Sequence, residues 1–252
     1  MSLNQVSRER DGAVAGLIIG NEVLTAKVDE ANGTWLTKRV REAGLPLSLL
    51  AVVPDDVDAI VEVLQLARRR ARWIVTSGGV GPTHDDVTVR AVALALGRRV
   101  VRLPEIEAMV KEHYGDRFTP ESLRLADAPD GSELVRQEGV WYPVLACDDV
   151  FMLPGVPELF RLQLETVMGR LPKGSLSTAV LYLSASEPEI AGVLDAVALA
   201  LPHVPIGSYP NFDEALGYRV KVTIEHAEEA PVREAVQRLE QKLPPGCILR
   251  RE

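Results

Sequence analysis

Between Trp73 and Thr88 the chain reads Trp-Ile-Val-Thr-Ser-Gly-Gly-Val-Gly-Pro-Thr-His-Asp-Asp-Val-Thr: an apolar run, a glycine-rich turn, paired carboxylates, then an amphipathic stretch. Apolar residues in succession predict a strand covered on both faces, the arrangement of a parallel α/β sheet. The glycines let the backbone turn sharply and bring its amides close to an anion, while the following helix aims its positive end at the same spot. Asp85 and Asp86 would repel a bare phosphate. They make most sense holding a hard divalent cation such as Mg²⁺, which binds through one or two carboxylates together with substrate phosphate oxygens and water. The structural alternative is that Asp85 or Asp86 caps the helix running to Gly97, although a cap needs one carboxylate and no run of glycines.

The rest of the first half repeats this alternation, the signature of an α/β fold. Ala13 to Ile19 reads as a strand ending at Gly20, Asp29 to Ala43 as a helix closed by Gly44, and Leu45 to Val53 as the next strand. Pro54-Asp55-Asp56 opens a helix whose Val57, Ile60, Val61, Leu64 and Ala67 form one apolar stripe. In such sheets ligands sit beyond the carboxyl ends of the strands. Gly20-Asn21-Glu22, Pro54-Asp55-Asp56, Gly78 to Asp86 and Pro154-Gly155-Val156-Pro157-Glu158 all follow strands, so they can converge on one cleft. Each has its own structural explanation: Glu22 as a solvated charge, Asp55 or Asp56 as a helix cap, Pro157 as a first-turn proline.

A second unit is expected after Pro172, giving domains at 12–172 and 173–252. Strands at Ser177–Leu183, Val204–Ser208, Tyr218–Glu225 and Cys247–Arg250, with helices at Glu187–Leu201 and Ala230–Leu243, give the order βαββαβ. Ile190, Val193, Leu194, Val197 and Leu201 form one apolar stripe, and Val232, Ala235, Val236, Leu239 and Leu243 repeat its spacing. Val220, Val222 and Ile224 alternate with Arg219, Lys221 and Thr223, as a half-buried antiparallel strand requires. This predicts a small ferredoxin-like α+β domain. Its Gly207-Ser208-Tyr209-Pro210 turn can contribute to a site, though turn chemistry alone accounts for the Gly and Pro.

Composition excludes several classes. A chain of 252 residues with 46% hydrophobic residues can bury a full core. Its formal charge of −8 argues against nucleic acid as a partner, and Arg68, Arg69, Arg70 and Arg72 read as a helix end complementing the dipole. Cys147 and Cys247 belong to no metal or disulfide spacing, which fits a reducing cytoplasm. Met1 to Gly12 shows no targeting signal, and no apolar run approaches the roughly 18 residues that span a bilayer, so no membrane partner is expected. His113, His203 and His226 read as ordinary surface or core histidines; His84 is the exception because of its place beside Asp85.

Gly78 to Thr88, with Val53-Pro54-Asp55-Asp56 before it and Leu153-Pro154-Gly155-Val156-Pro157-Glu158-Leu159 after it, resembles the molybdopterin-binding-like fold. Within that superfamily the chain looks most similar to the N-terminal module of competence/damage-inducible protein A (CinA) and to the corresponding module of eukaryotic-type FAD synthase. The similarity runs through Gly207-Ser208-Tyr209-Pro210 into Leu243-Pro244-Pro245-Gly246 and so covers nearly the whole chain. It implies a three-layer α/β/α domain with a mostly parallel sheet, followed by the small ferredoxin-like domain.

Carried over position by position, the resemblance gives Asp55 and Asp86 the catalytic chemistry. It gives Asp86, Asp85, Asp55 and Glu22 a divalent metal, and Ser77, Gly78, Gly79 and Gly81 the anion-binding loop. Thr83, Thr88, Gly155 and Glu158 are further candidate ligand contacts. Two departures stand out. FAD synthase modules resemble Gly-Asp-Glu where this chain has Gly20-Asn21-Glu22, and the Asn-Pro-x-Gly-x-Ala-Pro-Gly-like loop of CinA proteins is absent from Gln137 to Val144.

A full CinA protein carries a deamidase domain after this module and a full FAD synthase an adenylyltransferase domain, so neither activity is expected from this chain. Both kinds of module are associated with metal-dependent hydrolysis of a nucleotide pyrophosphate, ADP-ribose or FAD. The expectation is therefore a nucleotide pyrophosphatase using Mg²⁺, Mn²⁺ or, through His84, Co²⁺, and the resemblance implies self-association into a homo-oligomer. The alternatives are a module that binds a pterin or nucleotide without turnover, and a molybdenum cofactor biosynthesis protein.

Overall fold

The computed structural model describes residues 12–252, and the chain divides into one compact unit up to Lys173 and another from Gly174 to Glu252. In the first, strands β1 (Val14–Ile19), β2 (Leu47–Val53) and β3 (Trp73–Ser77) run parallel, with β1 between its two neighbours. After a two-stranded ribbon of β4 (Val100–Arg102) and β5 (Asp127–Pro129), strands β6 (Glu133–Val135), β7 (Val144–Cys147) and β8 (Val150–Leu153) return to the main sheet. The six-stranded order is β2-β1-β3-β8-β7-β6, with β8 parallel to β3 and with β7 antiparallel to both of its neighbours, β8 and β6. The mostly parallel α/β sheet expected from the alternating pattern is what the chain forms.

Three layers result from the period-two alternation of the strands. Ala15, Leu17, Ile74 and Met152 face the helices Val57–Arg70, Thr88–Leu96 and Pro104–Tyr114 through Leu64, Ala67, Val92, Ile106 and Val110. Val14, Val75, Phe151 and Leu153 face the helices Asn32–Glu42 and Pro157–Met168 through Leu36, Val40, Phe160 and Leu164. β1, β3, β7 and β8 are buried along their whole length. β2 departs from the expectation of two covered faces, because it lies at the edge of the sheet and leaves Leu50 and Val52 exposed.

The β7–β8 hairpin is not marked by any turn signal of the usual kind. Its two connecting residues, Asp148 and Asp149, both adopt positive φ (48° and 64°), a conformation that favours Asn-Gly. Here ion pairs help hold it, from Arg98 to Asp148 at 3.1 Å and from Arg72 to Asp149 at 3.2 Å. The other arginines of that run, Arg68 to Arg70, lie in the last turn of their helix as a solvated helix end should.

The second unit is an antiparallel sheet of β9 (Ser177–Leu183), β10 (Ile206–Pro210), β11 (Val220–His226) and β12 (Ile248–Arg251), in the order β10-β11-β9-β12. With its helices Glu187–Ala200 and Glu229–Lys242 this is the βαββαβ ferredoxin-like arrangement. Its core joins Leu181, Val222 and Ile224 to Ile190, Val197, Val236 and Leu239. The first helix opens with a capping box, Ser186 N–H donating to Glu189 at 2.7 Å.

The segment expected to lack a targeting signal lies largely outside the described residues, and no helix among the described residues is long and apolar enough to cross a membrane. Both cysteines are free and buried. Burial, and then the neighbouring Asp148 charge, pushes the Cys147 thiol up, and burial does the same at Cys247. Since the thiolate is the reactive form, both should resist alkylation of the native protein at pH 8 and react fully after denaturation. A thiol titration with and without denaturant checks this.

Candidate functional site

The loop after β3 begins with two glycines that no other residue can replace cheaply. Gly78 has φ 101° and its Cα faces the end of β1 so closely that a Cβ would sit 2.1 Å from the Ile19 carbonyl oxygen. Gly79 has φ 65°, and a Cβ there would meet Thr88 Oγ1 at 2.3 Å. Thr88 is buried at the start of its helix; its hydroxyl donates to the Gly78 carbonyl at 2.8 Å and its N–H to the Gly79 carbonyl at 3.0 Å. The loop is thus clamped to the helix that follows it. The backbone N–H groups of Gly79, Val80 and Gly81 have no acceptor among the described residues.

Neither Asp85 nor Asp86 caps this helix, whose N-cap is Val87 without a side-chain bond. Both turn instead toward Thr83. Asp86 accepts the Thr83 N–H at 2.8 Å, and the Thr83 hydroxyl lies 2.5 Å from Asp86 and 2.7 Å from Asp85, so its single proton serves two carboxylates. The Thr83 hydroxyl, assisted by the Asp85 backbone N–H, holds the Asp85 carboxyl below the usual carboxylate range. Asp85 is therefore an anion throughout the neutral range.

The acidic pair after β2 divides its roles. Asp56 is the helix cap, accepting the Ala59 N–H at 2.9 Å. Asp55 reaches across to accept the Asn21 N–H at 2.8 Å and so ties the loop after β2 to the loop after β1. That donor is a peptide group, so having Asn rather than Asp at position 21 leaves the link intact.

These loops meet in one cleft of about 420 Å³. Glu22, Asp55, Gly78, Gly79, Gly81, Thr83, Asp85, Asp86 and Gly155 all line it. Ser77 and Thr88 lie beneath the loop: Ser77 Oγ accepts from Asn32 Nδ2 at 2.9 Å and donates to the Pro154 carbonyl at 3.3 Å. Asn32 Nδ2 also donates to the Gly155 carbonyl at 2.8 Å, joining the two glycine loops through the start of the helix Asn32–Glu42. Glu158 is exposed in the first turn of the helix Pro157–Met168, away from the cleft lining. His84, 93% exposed, is also outside that lining.

Part of the lining is aromatic, and no motif in the sequence points to it. Tyr114, Trp141 and Tyr142 complete the cleft with Leu125. The chain has only three Trp and five Tyr, so the adjacent Trp141-Tyr142 pair was the available signal. Buried Tyr142 donates its hydroxyl to the Leu125 carbonyl at 2.7 Å, and burial pushes its phenol up. Among the described residues no Lys or Arg lines the cleft, and no three His, Cys, Asp or Glu side chains gather as a ready-made metal cage. A cation here would rest on one or two carboxylates, the mode typical of Mg²⁺ with a phosphate substrate.

Comparison with known proteins adds family information to this geometry. Residues 15–173 match the family described as probable molybdopterin binding domain, and residues 175–252 match the FAD synthase middle domain. A CinA-like protein of Syntrophus aciditrophicus is 31% identical over 250 residues, covering 90% of this chain and 59% of that protein. A probable FAD synthase of Caenorhabditis elegans is 29% identical, covering 92% of this chain and 50% of its own. A protein of Archaeoglobus fulgidus, 30% identical, is covered over 95% of its length, and 89% of this chain takes part. Among solved structures, CinA of Thermoplasma acidophilum superimposes with a TM-score of 0.60 at 28% identity, covering 64% of this chain and 98% of that one. The family resemblance drawn from the glycine loop and its flanking acids is borne out.

The clamp beneath the loop has a measurable consequence. Thr88→Val keeps the shape but removes the hydroxyl from the buried Gly78 carbonyl, and should cost about 1–3 kcal/mol. A denaturant unfolding curve checks this.

Proposed function

The chain belongs to the family of the probable molybdopterin binding domain, and we propose that its cleft hydrolyses the pyrophosphate of a nucleotide such as FAD or ADP-ribose, releasing AMP. The observation that carries this reading is the meeting, in one cleft, of the Gly79 to Gly81 amides with Asp55, Asp85 and Asp86. The relatives named as CinA-like protein and probable FAD synthase support a nucleotide substrate.

Asp85 and Asp86 are the residues that would hold a divalent ion; Asp55 and Glu22, which the resemblance adds to that set, line the same cleft but do not gather with the pair as a third ligand. Their oxygen donors suit Mg²⁺ or Mn²⁺, and His84, turned to solvent, adds no case for a softer ion. When bound, such an ion supplies Lewis-acid polarisation of the phosphates. Thr83 orients both carboxylates through its hydroxyl and N–H.

The remaining chemistry falls to the chain itself. Asp55, oriented by the Asn21 N–H, takes a proton from the attacking water as the new P–O bond forms. The bridging P–O bond breaks and its electron pair stays with the departing phosphate. The uncommitted amides of Gly79, Val80 and Gly81 meet the charge that grows on the phosphoryl oxygens. Since no Lys or Arg lines the cleft, charge compensation beyond these amides depends on the cation.

Incubation with FAD and with ADP-ribose in Mg²⁺, Mn²⁺, Co²⁺ or EDTA, reading AMP by chromatography, tests the reading. The expected outcome is AMP release that EDTA abolishes. Asp86→Asn should lower it at least about a hundredfold, and Asp55→Asn by a factor on the order of 10²–10⁴ if it is the general base. AMP release that is unchanged in Asp86→Asn overturns the assignment.

A further inference from the structure

The aromatic wall is built more firmly than a core boundary requires. Trp141 is half-buried and sits between other rings: His113 stacks on it with centroids 3.8 Å apart and planes within 5°. Tyr114 and Tyr142 meet it edge-on, at 6.0 and 5.4 Å. Tyr142 is locked from both ends, by its hydroxyl on Leu125 and by its carbonyl, which accepts from Gln163 Nε2 at 2.7 Å. Trp141 belongs to no helix or strand; it rides on the connection between β6 and β7, held by its neighbours' rings. An apolar surface so fixed and half-open, lining the same cleft of about 420 Å³ as the glycine loop and its carboxylates, suits a flat ring rather than a flexible chain.

We propose that Trp141 stacks the heteroaromatic ring of the nucleotide whose phosphates lie against Gly79 to Gly81, with Tyr114, perpendicular to Trp141, meeting that ring edge-on, and that the cleft thereby favours ring-bearing nucleotides over ring-free pyrophosphates. The proposal rests on the nucleotide reading of the cleft, but not on turnover. The described lining of the cleft combines two chemistries: oxygen donors and free amides from the loops after the parallel strands, and the rings of Tyr114, Trp141 and Tyr142. A nucleotide has the same two halves, a charged phosphate end and a planar ring. Stacking on such a platform is tolerant of ring identity, because every base has a π face. The phosphate end would therefore fix the position, and the aromatic platform would add affinity for any ligand that carries a flat ring.

The test is equilibrium binding of the two halves of FAD and of a ring-free ligand to the full chain in Mg²⁺, with FMN followed by its own fluorescence and AMP and inorganic pyrophosphate by calorimetry. Wild type should quench FMN fluorescence, or bind AMP, or both; which ring binds identifies the one that stacks. Trp141→Ala should weaken that ring's binding roughly tenfold or more and Tyr114→Ala by a smaller factor. Trp141→Phe should stay within about threefold of wild type, and pyrophosphate should bind the Trp141 and Tyr114 variants as it binds wild type. If Trp141→Ala does not fold, the comparison rests on Tyr114→Ala and Trp141→Leu, checked by thermal melting. The proposal is overturned if wild type binds neither FMN nor AMP, if the substitutions leave both unchanged, or if pyrophosphate weakens in step with them. Ring binding without AMP release from FAD or ADP-ribose would sink the hydrolysis and leave this inference standing.

Discussion

The architecture of the cleft depends on one close approach, that of the Gly78 backbone to the carbonyl oxygen of Ile19 at the end of β1. A side chain at position 78 would occupy the space of that oxygen, so only glycine lets the loop after β3 lie against the end of the neighbouring strand. Thr88 then closes the other side by giving its hydroxyl to Gly78 and its N–H to Gly79. With both ends clamped, the intervening residues have little freedom. Thr83, Asp85 and Asp86 are presented to the cleft with their mutual hydrogen bonds already made. A preorganised group of this kind need not be reordered when a ligand arrives.

The electrostatics follow from the same packing. Carboxylates from the loops after β1, β2 and β3 face one cavity whose lining holds no cationic side chain. Their mutual repulsion is softened by local donors: the Thr83 hydroxyl between Asp85 and Asp86, and the Asn21 amide at Asp55. The Thr83 hydroxyl favours the ionised form of Asp85, and a cleft lined by carboxylates disfavours a bare phosphate and favours one that enters with a cation. The buried Asn32 has a different part. Its amide joins Ser77 at the end of β3 to Gly155 after β8, and so keeps the second glycine loop beside the first.

Most of the fold was legible because its strands and helices bury whole faces. Leu64, Ala67 and Ile60 on one helix, and Val232, Ala235, Val236 and Leu239 on another, are buried where their spacing placed them. The helix expected from Asp29 starts at Asn32, because Glu30 accepts the N–H groups of Gly33 and Thr34 and ends the preceding loop. The β7–β8 hairpin escaped detection because Asp148 and Asp149 occupy a turn usually marked by glycine, with distant arginines helping to hold them. His113 read as an ordinary histidine and His84 as a possible ligand; the structure stacks the first on Trp141 and leaves the second in solvent.

What the sequence by itself determined is the set of loops that follow parallel strands and the residue types they carry. Period and glycine placement are local properties, and parallel sheets bring the carboxyl ends of their strands together. What only the tertiary structure decided is which of two adjacent acids does which job, and which rings share the cleft with them. Asp55 and Asp56 have the same chemistry and neighbouring positions; the difference is that one side chain meets its own helix at Ala59 and the other meets Asn21. The aromatic wall joins Tyr114 to Trp141 across intervening helical turns and strands. No local pattern encodes that contact, because it arises from the packing of segments distant in the chain.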